Sequence, residues 1–181
     1  MSEKYSKQKI STYTDNGKVD RKEVIYRPIG IVQSSFKKTE GVPIQAVAGR
    51  GIEGKLIIFP EYVEGLADLE GFSHIFLIYH FHLYEEGYTL KVKPFLDNKK
   101  RGVFATRAPR RPNALGISVV RLSKVEGNIL YIMDVDIVDG APLLDIKPYI
   151  PEFDIRDVER SGWYKGKGKE SFLKRSDNRF K

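Results

Sequence analysis

Hydrophobic and polar residues alternate over short distances along most of this chain. Runs rich in Val, Ile, Tyr and Phe occupy residues 24–26, 29–32, 55–59, 73–81, 89–92, 102–106, 117–125 and 129–138. Gly, Pro and Asn bound them, so each reads as a strand of a few residues. Glu126-Gly127-Asn128, between the last two runs, fits a hairpin turn. A helical period is confined to residues 60–69. There Pro60 suits a first helical position, and Val63, Leu66 and Leu69 recur at threes. A second short helix is expected to start at Asp154 as N-cap and to carry Ile155 and Val158 inward. Many short strands with few helices imply a mainly β fold, a small single-sheeted antiparallel β-barrel with one or two short helices. The pattern divides the chain into a polar arm (1–23), the barrel (24–152), and a short helix with a basic tail (153–181).

The length, 181 residues, suits one ordinary core. No apolar run approaches the roughly 18 residues that span a bilayer, and the first residues lack a secretory apolar segment. With no cysteine, disulfides, thiolate catalysis and thiolate zinc sites are excluded. A reducing cytoplasm suits such a chain. The net charge of +7 is concentrated at the ends. Residues 165–181 carry net +5 and residues 1–23 net +2, leaving the body neutral. A basic tail steers toward nucleic acid or another anionic surface, or is simply solvated. The end of the chain is expected to be loose, unless Trp163, Tyr164, Phe172 and Phe180 dock it.

Four segments could carry chemistry. Gly49-Arg50-Gly51-Ile52-Glu53-Gly54 spells G-x-G-x-x-G, but a strand follows it where dinucleotide binding requires a helix. It therefore reads as an inter-strand loop. His74, His80 and His82 project to one side if their strand is regular. They lack a nearby carboxylate, so no metal is expected. Asp134 and Asp136 share one face of residues 131–138, with Tyr131, Met133, Val135 and Ile137 on the other, and Asp139-Gly140 follows as a turn. These carboxylates suit acid/base work, pairing with Arg121, or acceptance of ligand hydroxyls. Residues 98–113 hold six cations and no acid, with Pro109 and Pro112 stiffening the loop. Such guanidinium groups suit phosphate or carboxylate, or else pair with acids of the body.

Together these segments resemble the TrmO/TsaA-like family. The resemblance rests on RPIGIVQSSF (27–36), VPIQ (42–45), GFSHIFLIYHFH (71–82), GVFATRAPRRPNALGISVVRL (102–122) and VDIVDGAPLLDIKPY (135–149), in that order. It implies a β-barrel that binds S-adenosylmethionine and acts as a homodimer. The implied activity methylates N6 of a threonylcarbamoyl-modified adenosine beside the anticodon of a threonine tRNA. By position, the resemblance implies cofactor contacts from Ile44, Gln45, Phe81, His82, Arg107, Ile117, Met133, Asp134, Val135 and Asp136. It assigns Arg110, Arg111, Asn113, Lys147 and Tyr149 to substrate or pocket shaping, and Asp136 or Asp139 to catalysis. The chain departs from the pattern at Ala114 and Ala141, where the family often has Pro and Thr. Longer relatives carry a further C-terminal domain, for which the basic tail is expected to substitute electrostatically. Two other readings remain open: a SAM-binding sensor or adaptor, and an RNA-binding barrel without cofactor.

Overall fold

The structure, a computed structural model, describes residues 24–84 and 87–180. The N-terminal arm anticipated from the sequence falls outside them. Six antiparallel strands close a barrel in the order β1-β2-β7-β6-β3-β8, with β8 returning to β1. They are β1 (Gly30–Gln33), β2 (Glu53–Ile58), β3 (His74–His80), β6 (Leu115–Glu126), β7 (Ile129–Met133) and β8 (Pro142–Pro148). A two-stranded ribbon, β4 (Lys91–Val92) with β5 (Arg101–Gly102), stands beside it. Alternate residues point inward: Ile75, Leu77 and Tyr79 from β3, Leu130 and Ile132 from β7, Val32, Leu56, Val120 and Leu143 from the others. Each large aliphatic chain removed from water in this interior contributes about 1.5–3 kcal/mol.

Several expectations change. Residues 24–26 are not a strand; their side chains are exposed, having no neighbouring strand to cover them. Residues 60–69 form no α-helix but a 3-10 turn, Pro60–Leu66, followed by a second, Leu69–Gly71. Asp68 takes a left-handed φ of 63°, which interrupts the period. Strand β8 was not anticipated, because prolines stand at both its ends and strands rarely carry them. It nevertheless pairs with β1 and β3 and seals the barrel. The helix near Asp154 lies earlier than expected: α1 is one turn, Pro151–Asp154, and the Asp154 carboxylate accepts a hydrogen bond from the Ile150 N–H at 2.7 Å. Asp154 thus ends the turn, and Ile155 and Val158 lie exposed beyond it.

The two-face reading of residues 131–138 also fails. Asp134 adopts a φ of 72°, which ends β7 and resets the alternation. Leu130 and Ile132 point inward, then Val135 and Ile137. Aspartate tolerates this conformation, and here its carboxylate is fixed by the Arg121 guanidinium at 2.6 and 3.0 Å and by the Gly51 N–H at 2.7 Å. The same packing explains the glycine motif. A Cβ on Gly49 would lie 2.6 Å from the Val135 carbonyl oxygen, so the segment exists to let two backbones touch.

The C-terminal segment is docked. The Gly41 N–H donates to the Ser176 carbonyl at 3.0 Å, the Ser176 N–H donates to the Val42 carbonyl at 2.8 Å, and Pro43 bridges to Arg175. The Arg179 guanidinium donates to the Pro94 carbonyl at 2.7 Å and lies over the Phe95 ring. Phe180 is buried with Phe95, Val92 and Val103, edge-to-face on Phe95 at 5.1 Å. Aromatic burial and the Arg179 contacts together set the path of this tail.

Candidate functional site

Two adjoining cavities lie beside β6, the first where β3 and β6 meet residues 136–141 and the second along Ile117, Val119 and Arg121. The first, about 420 Å³, is bounded by Gln45, Phe81, His82, Arg107, Ile117 and Asp136 among others. The second, about 1040 Å³, lies toward the C-terminal segment and includes Arg50, Phe104, Arg121 and Trp163. Gln45, Phe104, Arg107, Ile117 and Asp136 belong to both, so they form the wall between them.

Asp136 is the chemically distinctive group on that wall. Burial pushes its carboxyl up to about 6, although the Ser118 hydroxyl and the Arg107 charge both favour its ionised form. Ser118 Oγ donates to Asp136 Oδ1 at 2.6 Å. Having committed its proton there, Ser118 accepts from the Tyr79 hydroxyl at 3.2 Å. Burial, foremost, and the nearby Asp136 raise the Tyr79 phenol far above its ordinary value, so it serves as a neutral donor. Local sequence makes this possible: Tyr79 faces Gly116 across the β3–β6 ladder, and a Cβ there would lie 2.4 Å from the ring. Only glycine leaves room for the phenol to reach Ser118.

The basic loop is ordered by its own backbone. Arg107 Nη1 donates to Gln45 Oε1 at 2.7 Å. Arg111 Nη1 donates to the carbonyls of Thr106 and Ala108, at 3.2 and 3.4 Å. Neither arginine has an ion-pair partner among the described residues. Arg107 stands on the cavity wall, where its charge acts on Asp136, and Arg111 braces the turn that aims it.

The structure gathers some expected residues and separates others. Ile44, Gln45, Phe81, His82, Arg107, Arg111, Asn113, Ile117 and Asp136 all border the first cavity. Asp134 borders the second, in its ion pair with Arg121. Val135 is wholly in the barrel core. Met133 lies in the ladder opposite Glu53 and Arg121, and it borders neither cavity. Asp139 also borders neither: its carboxylate accepts from the Ser34 N–H at 2.9 Å and pairs with Lys37 at 2.7 Å, tying β1 to the turn before β8. Lys147 pairs with Asp145, and Tyr149 packs on Phe76 and His74. Arg110 lies outside both walls. The three histidines are not on one face, because β3 ends at His80 and His82 lies in the following turn. Among the described residues no group of three His, Asp or Glu gathers as metal ligands. Sequence reasoning did not find Ser118 or Tyr79. Their only signal was polar atoms at inward positions of otherwise apolar strands.

Comparison with known proteins places this architecture. The model of the tRNA-methyltransferase O N-terminal domain matches residues 31–155. The chain belongs to the tRNA-methyltransferase O family. It is 57% identical to a probable S-adenosyl-L-methionine-binding protein of Pyrococcus abyssi, over 87% of this chain and 85% of that one. It is 40% identical to a mouse tRNA (adenine(37)-N6)-methyltransferase over 72% of this chain, but spans only 32% of that protein. The fold superposes on a crystal structure of TrmO from Pseudomonas aeruginosa with a TM-score of 0.66 and 36% identity, covering 78% of this chain and 63% of that one. The chain thus spans less than two thirds of the solved TrmO chain. The β-barrel expected from the sequence is the fold observed. Among the described residues no helix is long and apolar enough to cross a membrane.

Proposed function

We propose that this protein is an S-adenosylmethionine-dependent methyltransferase acting on N6 of the adenosine beside the anticodon of a tRNA, a threonine tRNA bearing a threonylcarbamoyl group in the finest reading. The observation that carries it is the wall shared by two cavities, with a half-buried carboxylate, Asp136, and the Arg107 guanidinium on it. The first cavity has the size of a small-ligand site. Its residues fit S-adenosylmethionine: Phe81 and Ile117 offer apolar surface for the adenine, and Arg107 offers a fork to the methionine carboxylate. The family's SAM-binding and tRNA-methylating relatives support the same assignment.

When bound, this cofactor supplies a methyl on a cationic sulfur, which leaves as a neutral thioether as the new carbon–nitrogen bond forms. The protein's task is to aim the nitrogen and take its proton. Alignment carries most of the rate, because the leaving group is already activated. Asp136 accepts the N–H proton, held in position by Ser118. A carboxyl raised to about 6 is a stronger base than an ordinary aspartate and still ionised at neutral pH. Asp139 is assigned to fastening the barrel rather than to the reaction. Arg110 remains assigned to RNA. A cytoplasmic site of action follows from the substrate.

The test is calorimetric titration with S-adenosylmethionine, followed by transfer of a labelled methyl to tRNA from cells lacking the modification. No heat at millimolar ligand sinks the proposal. Binding without transfer leaves a sensor. Arg107→Ala is expected to weaken cofactor binding by about 10- to 100-fold, since it removes a charge-assisted hydrogen bond worth about 1.5–3 kcal/mol. Retention of wild-type affinity would move Arg107 from the cofactor to the RNA.

The proposed enzyme is a homodimer. Phe76 and Ile78 of β3 and Leu115, Ile117 and Val119 of β6 face away from the barrel interior and stay partly or fully exposed. This apolar face adjoins both cavities, so a second copy would close them. Ile78→Asp is expected to convert a dimer to a monomer in sedimentation at micromolar protein. An unchanged sedimentation coefficient would place the interface elsewhere.

A further inference from the structure

The second cavity holds features that cofactor binding does not use. Its outer rim is Trp163, which follows the family-matched stretch and belongs to the C-terminal segment. The indole is fixed in advance. Nε1 donates to the Ala105 carbonyl at 2.7 Å, the Lys167 ammonium lies over the ring at 5.5 Å, and Tyr164 meets it edge-on at 5.9 Å. Phe104, next to the residue that anchors the indole, borders the same cavity and is 75% exposed. A large aromatic ring so exposed beside a cavity marks a contact surface. Arg50 also borders the cavity and has no ion-pair partner among the described residues. Asp134, which also borders this cavity, is paired with Arg121.

Flat rings with a cation beside them suit an unstacked base with its phosphates. Aromatic side chains stack bases of single strands whatever their sequence, and guanidinium groups take the phosphates. We infer that the C-terminal segment builds the nucleotide-binding half of the site, with a purine of single-stranded RNA stacked against Trp163 and Phe104, and Arg50 on its backbone. This rests on the methyltransferase reading and deepens it. The cavity that would hold this base shares Phe104, Arg107 and Asp136 with the first cavity, so the two ligands would meet at that wall. Ordering of the indole before the ligand arrives lowers the entropy lost on binding.

Trp163 is the only tryptophan in the chain, so its fluorescence reports the event directly. Titrating the full chain with a single-stranded RNA oligomer of one adenosine flanked by uridines is expected to quench it saturably, less so at high salt. With a fluorescein-labelled oligomer, Trp163→Ala is expected to weaken RNA binding about 5- to 150-fold. Trp163→Phe should restore much of it, and S-adenosylmethionine affinity should be unchanged in both. Unchanged RNA affinity in Trp163→Ala overturns the inference. So does equal quenching by heparin, a polyanion without bases, or a change in oligomeric state without a change in RNA affinity, which would make the groove a contact between copies. RNA quenching without any S-adenosylmethionine binding would sink the methyltransferase reading and leave this groove standing. Methylation with unaltered RNA affinity in Trp163→Ala would do the reverse.

Discussion

Asp136→Asn is expected to slow methyl transfer about 10²–10⁴-fold at neutral pH, the range contributed by a positioned general base. Cofactor affinity should change far less, because the amide keeps the size of the carboxyl and an oxygen for Ser118. In the parent protein, single-turnover rate should rise with pH through about 6 and level off, as the buried carboxyl ionises. The stability effect has the opposite sign. A carboxyl with an ordinary value of 3.8, raised to about 6 by folding, binds its proton more tightly in the folded state. Ionisation therefore penalises folding: nothing is lost below about pH 4, the cost grows from there to about 6, and it is complete above. Asp136→Asn removes that cost. At pH 8 its unfolding free energy should exceed the parent's by up to about 3 kcal/mol, and the difference should vanish at pH 4. A slower, more stable variant is the signature of a group kept for function against stability. An unchanged rate with a flat pH profile would remove Asp136 from the reaction.

The second large effect concerns the tail. Phe180→Ala is expected to destabilise by about 3–5 kcal/mol, the cost of truncating a buried phenylalanine. The loss is local in character, because Phe180 packs in the small cluster of Val92, Val103, Ala108 and Phe95, apart from the barrel interior. Chemical denaturation should therefore show an early phase before the barrel unfolds, and limited proteolysis should remove the C-terminal segment. Phe180 also borders both cavities, so cofactor and RNA binding should weaken together. A single unfolding transition with a protease-resistant tail would show that the backbone bridges at Pro43 and Ser176 hold the segment without its aromatic anchor.

The electrostatic expectation for the tail is thus recast. The tail carries seven cations, yet Lys167 is committed to the Leu96 carbonyl and Arg179 to Asp177 and Pro94. The segment acts first as a wall, and its charge is partly consumed in building that wall.

The residues themselves determined most of the barrel strands, because inward-facing apolar residues recur at alternate positions in β2, β3 and β7 and a sheet has that period. The motif order pointed to the family and named Gln45, Arg107 and Asp136, which the fold brings to one cavity. Local pattern could not find β8, whose prolines contradict a strand until two neighbouring strands are in place to pair with it. Nor could it see that Asp134 is held by Arg121 while Asp136 is held by Ser118. That depends on a left-handed turn at Asp134 stabilised by Arg121 and Gly51, groups distant in sequence. Asp136 and Asp139 are alike as letters. Burial beside Ser118 makes one a weak acid on a cavity wall, and an ammonium at 2.7 Å makes the other a fastener. Solvation and pairing are properties of the space around a side chain, so only the folded barrel could tell them apart.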